Sequence, residues 1–300
     1  SAARAAARNK PVLVVKAGRS PQGQAAAASH TGALAGSDLV YDAAIRRAGM
    51  LRVDTLDDLF VAAETLAHLR APPRNTDLAP LERLTIVTNG GGAGVMAADA
   101  AALAGVALAP LPEATRAALD AALPANWSHG NPVDIIGDAP VERYEHTLRT
   151  LLAEPATGSL LFIHAPTAIV PSADIAQALL PLARDAQGRL LSCWLGNQAV
   201  QAAREAFHGA GIATYDTPEQ AVRAFSLLIT YRRNQAQLMQ APPAHAAAAA
   251  LDLGAVRKLI DDALAAGREW LTEPEAKVLL AACGVPVVET RVTAPEAGAA

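Results

Sequence analysis

Two segments carry residues whose types and order could do chemistry. The first is Ser29-His30-Thr31-Gly32-Ala33-Leu34-Ala35-Gly36, flanked upstream by Gly18, Gly23 and the run Ala25 to Ala28. A neutral imidazole is a competent nucleophile toward phosphorus, and small neighbours let the backbone approach a ligand closely. A histidine among such small residues also has little to pack against. The residues by themselves therefore leave two readings open: a solvated loop histidine, or a group that accepts and passes on a phosphoryl group. The second segment is Asn89-Gly90-Gly91-Gly92-Ala93-Gly94, between an apolar run and a helical one. Glycines there let backbone N–H groups point at an anion, and a helix N-terminus adds about half a positive charge. The segment lacks the Lys-Ser/Thr of a nucleotide P-loop. It also lacks the dinucleotide spacing with an acidic residue ~20 positions on, which argues against a Rossmann cofactor. A phosphate site and a tight turn that binds nothing are the two readings left.

Other polar residues weigh less. His129 and Asp134 flank Asn131-Pro132, where the aspartate is expected to order the loop. Thr167 and Asp174 border the loop after a strand ending at His164, at the edge where open parallel sheets bind ligands. His164 itself is expected to be a satisfied core residue. His68, His146 and His208 fall on helices and His245 in a linker, all read as surface. No pair shows His-x3-His spacing, so no metal set is assigned; there is no Gly-x-Ser-x-Gly elbow, and Cys193, mid-strand, is expected to be inert.

The elements that must position these residues follow from periodicity. Pro11 to Gly18 is a short β-branched run closed by glycine, as expected for a strand buried on both faces. A long loop is expected up to Gly36. Ser37 or Asp38 then caps a helix to Ala48, with Leu39, Ile45 and Ala48 inward. Met50 to Val53 reads as a strand, and Thr55 caps a helix over 56–69 with Leu56, Leu59, Phe60, Ala63 and Leu66 as its apolar face. A second series begins with the strand Leu84–Thr88. It continues with a helix to Leu103, a strand Val106–Ala109, a helix from Pro112 to Leu123 and the extended Asn131-Pro132-Val133-Asp134. Helices over 141–152, 172–184 and 198–208 alternate with strands over 159–164, 190–195 and 213–215, and a last helix runs from Pro218 to about Arg233. Such alternation predicts an α/β fold with a doubly wound parallel sheet. A low-complexity stretch, Gln235 to Ala250, precedes a helix over 253–266. A capping box, Thr272-Glu273-Pro274-Glu275, opens a helix ending at Gly284, and a strand follows over 287–292.

Composition narrows the function classes. The chain has 300 residues, is 52% hydrophobic but only 4% aromatic, and carries a net charge of −4. Basic and acidic residues are mixed, without the basic stripe that nucleic acid requires, and no apolar run approaches the ~20 residues that span a bilayer. Two cysteines in apolar settings fit a reducing cytoplasm. The N-terminus lacks a secretory apolar core, the chain does not start with Met, and two strands with two helices make no self-sufficient layer. Both ends are therefore expected to be parts of larger units.

In order along the chain, these motifs resemble those of the NDP-forming acyl-CoA synthetases, relatives of succinyl-CoA synthetase. The resemblance rests on Lys10-Pro11-Val12-Leu13-Val14-Val15-Lys16-Ala17-Gly18-Arg19-Ser20 with Ser29-His30-Thr31-Gly32, and on Thr88-Asn89-Gly90-Gly91-Gly92-Ala93-Gly94 with Asn131-Pro132-Val133-Asp134. It extends to Leu271 through Lys277 and Gly284 through Glu289. It implies two flavodoxin-like (succinyl-CoA synthetase-like) domains, the C-terminal part of one over 1–72 and a second over 84–234. The linkers are 73–83 and 235–252, and a truncated ATP-grasp domain begins over 253–300. It implies His30 as the catalytic phosphoryl carrier on a swinging loop, and Thr31, Gly32, Gly90, Gly91, Gly92, Ala93 and Gly94 as phosphate-binding. The implied substrates are acyl-CoA, phosphate and nucleotide, with ATP/ADP and Mg acting in the full-length enzyme and nothing bound tightly to this fragment. The implied partners are the CoA-binding and ATP-grasp parts, on the same polypeptide or a partner subunit, in an oligomer, with no nucleic acid and no membrane. Tyr231 to Leu238 is similar to a branch in which this region regulates a GNAT-type protein lysine acetyltransferase. A non-catalytic acyl-CoA-binding module is the third reading.

Overall fold

The computed structural model describes residues 2–31, 37–69, 77–186, 188–240 and 252–290, the side chains of 28–31 excepted. Residues 1–240 form one compact unit and residues 241–300 a second.

The first unit holds two parallel sheets. In the smaller, β1 (Leu13–Val15) pairs with β2 (Leu51–Val53), Leu13 opposite Leu51 and Val15 opposite Val53. The larger runs β4 (Val133–Asp134), β3 (Leu84–Thr88), β5 (Ser159–His164), β6 (Leu190–Trp194) and β7 (Ala213–Tyr215) in that spatial order. This is the flavodoxin-like order, with its switch point between β3 and β5. Strands β3, β5 and β6 are buried throughout. Because successive side chains alternate faces, each strand feeds two cores. Val87, Phe162 and Trp194 pack against α7 (Val141–Ala153), α8 (Ser172–Asp185) and α9 (Gln201–Gly209). Ile86, Ile163 and Cys193 pack against α5 (Gly91–Leu103) and α10 (Pro218–Met239). α6 (Glu113–Ala122) adds Leu119 to the first core.

Helix α10 joins the two sheets. Its Leu227 completes a small core with Leu51, Val53 and Ala62. Farther along, Asn234 Nδ2 donates to Met50 O at 2.8 Å and Gln235 Nε2 to Gly49 O at 2.7 Å. Gly49, at φ +76°, has Leu238 so close that a Cβ would lie 2.4 Å from its Cδ2. The expected end at Arg233 is thus too early: the helix runs on to Met239 because residues 234–238 have a surface to bury against.

Several other expectations are corrected. Residues 21–31 are not loop but helix α2 (Pro21–Thr31). Ser20 Oγ accepts the Gly23 N–H at 3.1 Å, Pro21 stands at the first helical position, and Ala25 to Ala28 have the highest helix propensity. Strand β1 is shorter than expected and only half-buried, pairing among the described residues with β2 alone. In α3 (Asp38–Arg47) Ile45 is buried but Leu39 is exposed, because neighbouring Asp38 turns to Arg52. In α4 (Leu56–His68) the apolar pair Leu56 and Phe60 faces outward, at 64% and 70% exposure, while Asp58, Val61, Ala62 and Thr65 are buried. Polar contacts choose that face: Arg223 Nε and Nη2 each donate to Asp58 at 2.8 Å, and the Thr65 and Tyr215 hydroxyls meet at 2.7 Å. Val106–Ala109 forms only an isolated bridge from Leu108 to Leu84. α1 (Ala2–Asn9) precedes β1.

In the second unit, α11 (Leu253–Ala265) and α12 (Glu273–Ala282) form a helical pair. The capping box is present: the Thr272 N–H donates to Glu275 Oε2 at 2.8 Å. Arg268 and Thr272 together hold the Glu275 carboxyl down at about 2. Residues 285–290 are not a strand, for no neighbouring strand pairs with them among the described residues; 291–292 lie outside those residues.

Candidate functional site

The Gly90–Gly94 turn lies at the carboxyl end of β3, beside the switch point. Gly90 is the N-cap of α5 and has no side chain to cap with. Its own N–H goes to Thr88 Oγ1 at 3.0 Å, and its carbonyl accepts from Ala93 N–H at 3.0 Å and Gly94 N–H at 3.2 Å. The first-turn N–H groups of Gly91 and Gly92 are the helix's orphan donors. A Cβ at Gly92 would meet nothing within 4 Å. At Gly91 a Cβ would stand 2.8 Å from Asp134 Oδ2, and at Gly94 it would press on Thr88 and Pro132.

The surroundings fix this turn in place. Asn89, 2% exposed, spans the switch point: its Nδ2 donates to Ala165 O, and Ala165 N–H donates to its Oδ1, both at 2.8 Å. Asn131 stands in for a missing strand residue beside β3. It accepts from Ile86 N–H at 3.0 Å and donates to Leu84 O and Ala109 O, each at 2.9 Å. The Asn131–Pro132 peptide is cis. Asp134 Oδ1 accepts the Ile136 N–H at 2.9 Å, so this aspartate orders its loop as expected. Asn89 and Asn131 are functional supports that the reading of the sequence missed. An amide directly after an apolar strand, where a backbone would otherwise be left unpaired, was the available signal.

The remaining candidates separate clearly. His164 is buried, with Nε2 3.0 Å from Ser172 Oγ and Nδ1 3.4 Å from Tyr144 OH; burial holds its pKa down at about 4. It is the core residue expected. Cys193 is buried and its thiol is pushed up to about 12 by burial, in keeping with an inert role. His129 is exposed and bonded to Ala125 O and Asp120, which together raise its pKa. Thr167 and Asp174 lie beyond β5 without converging on the glycine turn in any hydrogen bond. His245 lies outside the described residues.

His30 and Thr31 close α2, their side chains lying outside the described residues together with Gly32. The chain that carries them is anchored at its base. Arg19 Nε approaches Asp38 Oδ2 at 3.6 Å, and Arg52, its side chain 7% exposed, donates to Asp38 Oδ1 at 2.5 Å. Arg19 also pairs with Asp54, which Arg223 contacts at 3.3 Å. The Arg52 hydrogen bond, first among several causes, holds the Asp38 carboxyl below its usual range. Nothing in the spacing of these residues announced this cluster.

The glycine turn stands at the switch point of a flavodoxin-like sheet, in a chain whose domains match models of the CoA-ligase group. Residues 1–66 match the succinyl-CoA ligase-like flavodoxin domain, and residues 84–244 the Ligase-CoA domain. The chain belongs to the ADP-forming acyl-CoA ligase family within that group. It is 31% identical over 290 residues to 4-hydroxybutyrate–CoA ligase (ADP-forming) of Nitrosopumilus maritimus, across 97% of this chain and 40% of that one. It is 35% identical to acetate–CoA ligase (ADP-forming) I subunit alpha of Pyrococcus furiosus, across 78% of this chain and 50% of that one. Among solved structures, dinucleotide-forming acetyl-coenzyme A synthetase 1 of Ca. Korarchaeum cryptofilum, in complex with phosphate and ADP, superposes with a TM-score of 0.71 at 31% identity. The match covers 81% of this chain and 51% of that one. The chain thus spans about half or less of these relatives.

Proposed function

We propose that this chain is the phosphoryl-carrying part of an NDP-forming acyl-CoA synthetase. Phosphate oxygen attacks the thioester carbonyl of an acyl-CoA, releasing CoA and leaving an acyl phosphate. A ring nitrogen of His30 then attacks phosphorus and the carboxylate departs. The phosphohistidine passes the group to an ADP oxygen, giving ATP; the steps run equally in reverse. The observation that carries this reading is the uncapped start of α5. Gly91 and Gly92 leave first-turn N–H groups without a side-chain cap, a Cβ at Gly92 would meet nothing within 4 Å, and the helix dipole adds ~0.3–2 kcal/mol for an anion. Charge-assisted hydrogen bonds from such groups are about twice as strong as neutral ones. Asn89 holds that turn against the β5 loop, so the donors are positioned before a ligand arrives.

The acyl-CoA- and nucleotide-binding parts are complementary segments of the same polypeptide or a partner subunit, in an oligomer, and residues 253–290 are the start of the ATP-grasp part. Nucleotide and magnesium belong with that part, because the glycine turn offers a phosphate cradle but no lysine. Unpaired Cys193 and Cys283 fit a reducing cytoplasm. Among the described residues no helix is long and apolar enough to cross a membrane.

The test uses the complete parent protein, given acetyl-CoA and labelled phosphate. Label that is acid-labile, base-stable and lost in His30→Asn is the expected result. Turnover without any labelled protein would reject the carrier role. Binding of acyl-CoA with neither label nor turnover would make the region a regulatory or effector-binding module.

A further inference from the structure

We propose that Glu64, His68 and His208 form a divalent transition-metal site, suited to zinc, that pins α4 to α9. Glu64 and His68 stand one turn apart on α4, so both side chains leave one face of the helix. His208 lies in the last turn of α9. One donor atom from each of the three lies within 4.8 Å of the others. The carboxylate and His208 already approach, Glu64 Oε1 being 3.6 Å from Nδ1. The two imidazoles meet edge-on, with centroids 5.2 Å apart and planes at 72°. That arrangement lets two ring nitrogens converge on one point, which parallel stacking would prevent.

The distances suit a small ion. Ligands on a tetrahedral zinc at ~2.0–2.1 Å stand ~3.3 Å from one another, so the side chains need to close by about 1.5 Å at most. They have the freedom to do so, since Glu64 and His68 are only half-buried and His208 is exposed. Two imidazoles and a carboxylate, with a fourth position open to water, are a zinc donor set; calcium and magnesium select all-oxygen shells. Arg184 lines the cleft beside His68.

The site has a structural consequence. Helix α4 packs on the β1–β2 sheet through Ala62 and into the core of the five-stranded sheet through Val61 and Leu66, and hydrogen bonds tie its Asp58 to Arg223 and its Thr65 to Tyr215. An ion at Glu64 and His68 adds a tie from this helix to α9. The sequence hides this set: Glu64-x3-His68 supplies two ligands, and the third comes from a helix far along the chain.

The test is a titration of the chain, prepared without an affinity tag, with Co2+ as the spectroscopic probe for zinc. The expected result is one equivalent bound, with visible absorption of tetrahedral intensity that Zn2+ displaces. Zn2+ at a hundredfold over its Kd should raise Tm by about 5 °C. Both signals should vanish in the His68→Ala/His208→Ala variant, and in His68→Gln/His208→Gln if the alanine pair fails to fold. Glu64→Gln should weaken binding about tenfold. No Co2+ spectrum and no Tm shift in the unaltered chain would overturn the site. So would an undiminished spectrum in a folded double variant.

Discussion

Two strand-to-helix turns of the first unit, after β1 and after β3, begin alike and end differently. After β1 the chain enters α2 through Ser20, whose hydroxyl accepts the Gly23 N–H, and through Pro21, which has no N–H to satisfy. After β3 it enters α5 through Gly90, which caps with no side chain and is followed by Gly91 and Gly92. One helix start is capped by a side chain; the other is not, and the proposed phosphate site rests on that difference. Glycine content alone does not distinguish them, since both turns contain it. What distinguishes them is the presence or absence of a side-chain acceptor at the cap.

That contrast can be tested from its strongest consequence downward. Gly91→Ala places a Cβ 2.8 Å from Asp134 Oδ2, so the turn or that carboxylate must give way at the mouth of the proposed phosphate site. In the parent protein phosphoryl transfer should fall by about 10²–10³, the loss typical of one displaced oxyanion donor. Gly92→Ala, with nothing within 4 Å, should keep or slightly raise Tm while slowing transfer less. Phosphoryl transfer undiminished by Gly91→Ala would show that the turn does not hold phosphate.

The second test concerns the floor beneath the β3 turn. His164 stays neutral in the fold down to about pH 4, whereas in the unfolded chain it protonates near its ordinary value of 6.5. The unfolded state binds more protons between those values, so this contribution is complete above pH 6.5 and is lost as pH falls toward 4. It amounts to roughly 3 kcal/mol at the lower end. Urea midpoints measured across that window should fall for the unaltered chain and stay flatter for His164→Gln. The smallest effect belongs to the β1 turn. Ser20→Ala should cost about 1 kcal/mol of local stability, read as faster amide exchange in α2, with phosphate handling at the β3 turn unchanged.

The larger sheet was legible because β3, β5 and β6 are unbroken apolar runs, and only strands covered on both faces need them. The glycine turn was legible for the same reason, standing between such a run and a helical one. Helix α2 was not, because its glycine flank outweighed four alanines whose propensity decided the outcome. The inward face of α4 was misjudged because apolar spacing favoured Leu56 and Phe60, whereas Arg223 and Tyr215 draw Asp58 and Thr65 inward. Asn89 and Asn131 bond across long stretches of sequence, and periodicity has no access to such pairs.

The Arg19–Asp38 contact makes a hinge post of residues that take no part in any transfer. His30 sits eight positions before Asp38, so its travel about that post is bounded by a tether of about 27 Å even when drawn straight. None of residues 21–27 is fully buried. Uncoiling α2 would therefore release chain length, at ~1.5 Å per residue wound against ~3.4 Å drawn out, without tearing open a core. On the proposed carrier role of His30, α2 serves as a reel whose unwinding sets how far a phosphoryl group is delivered.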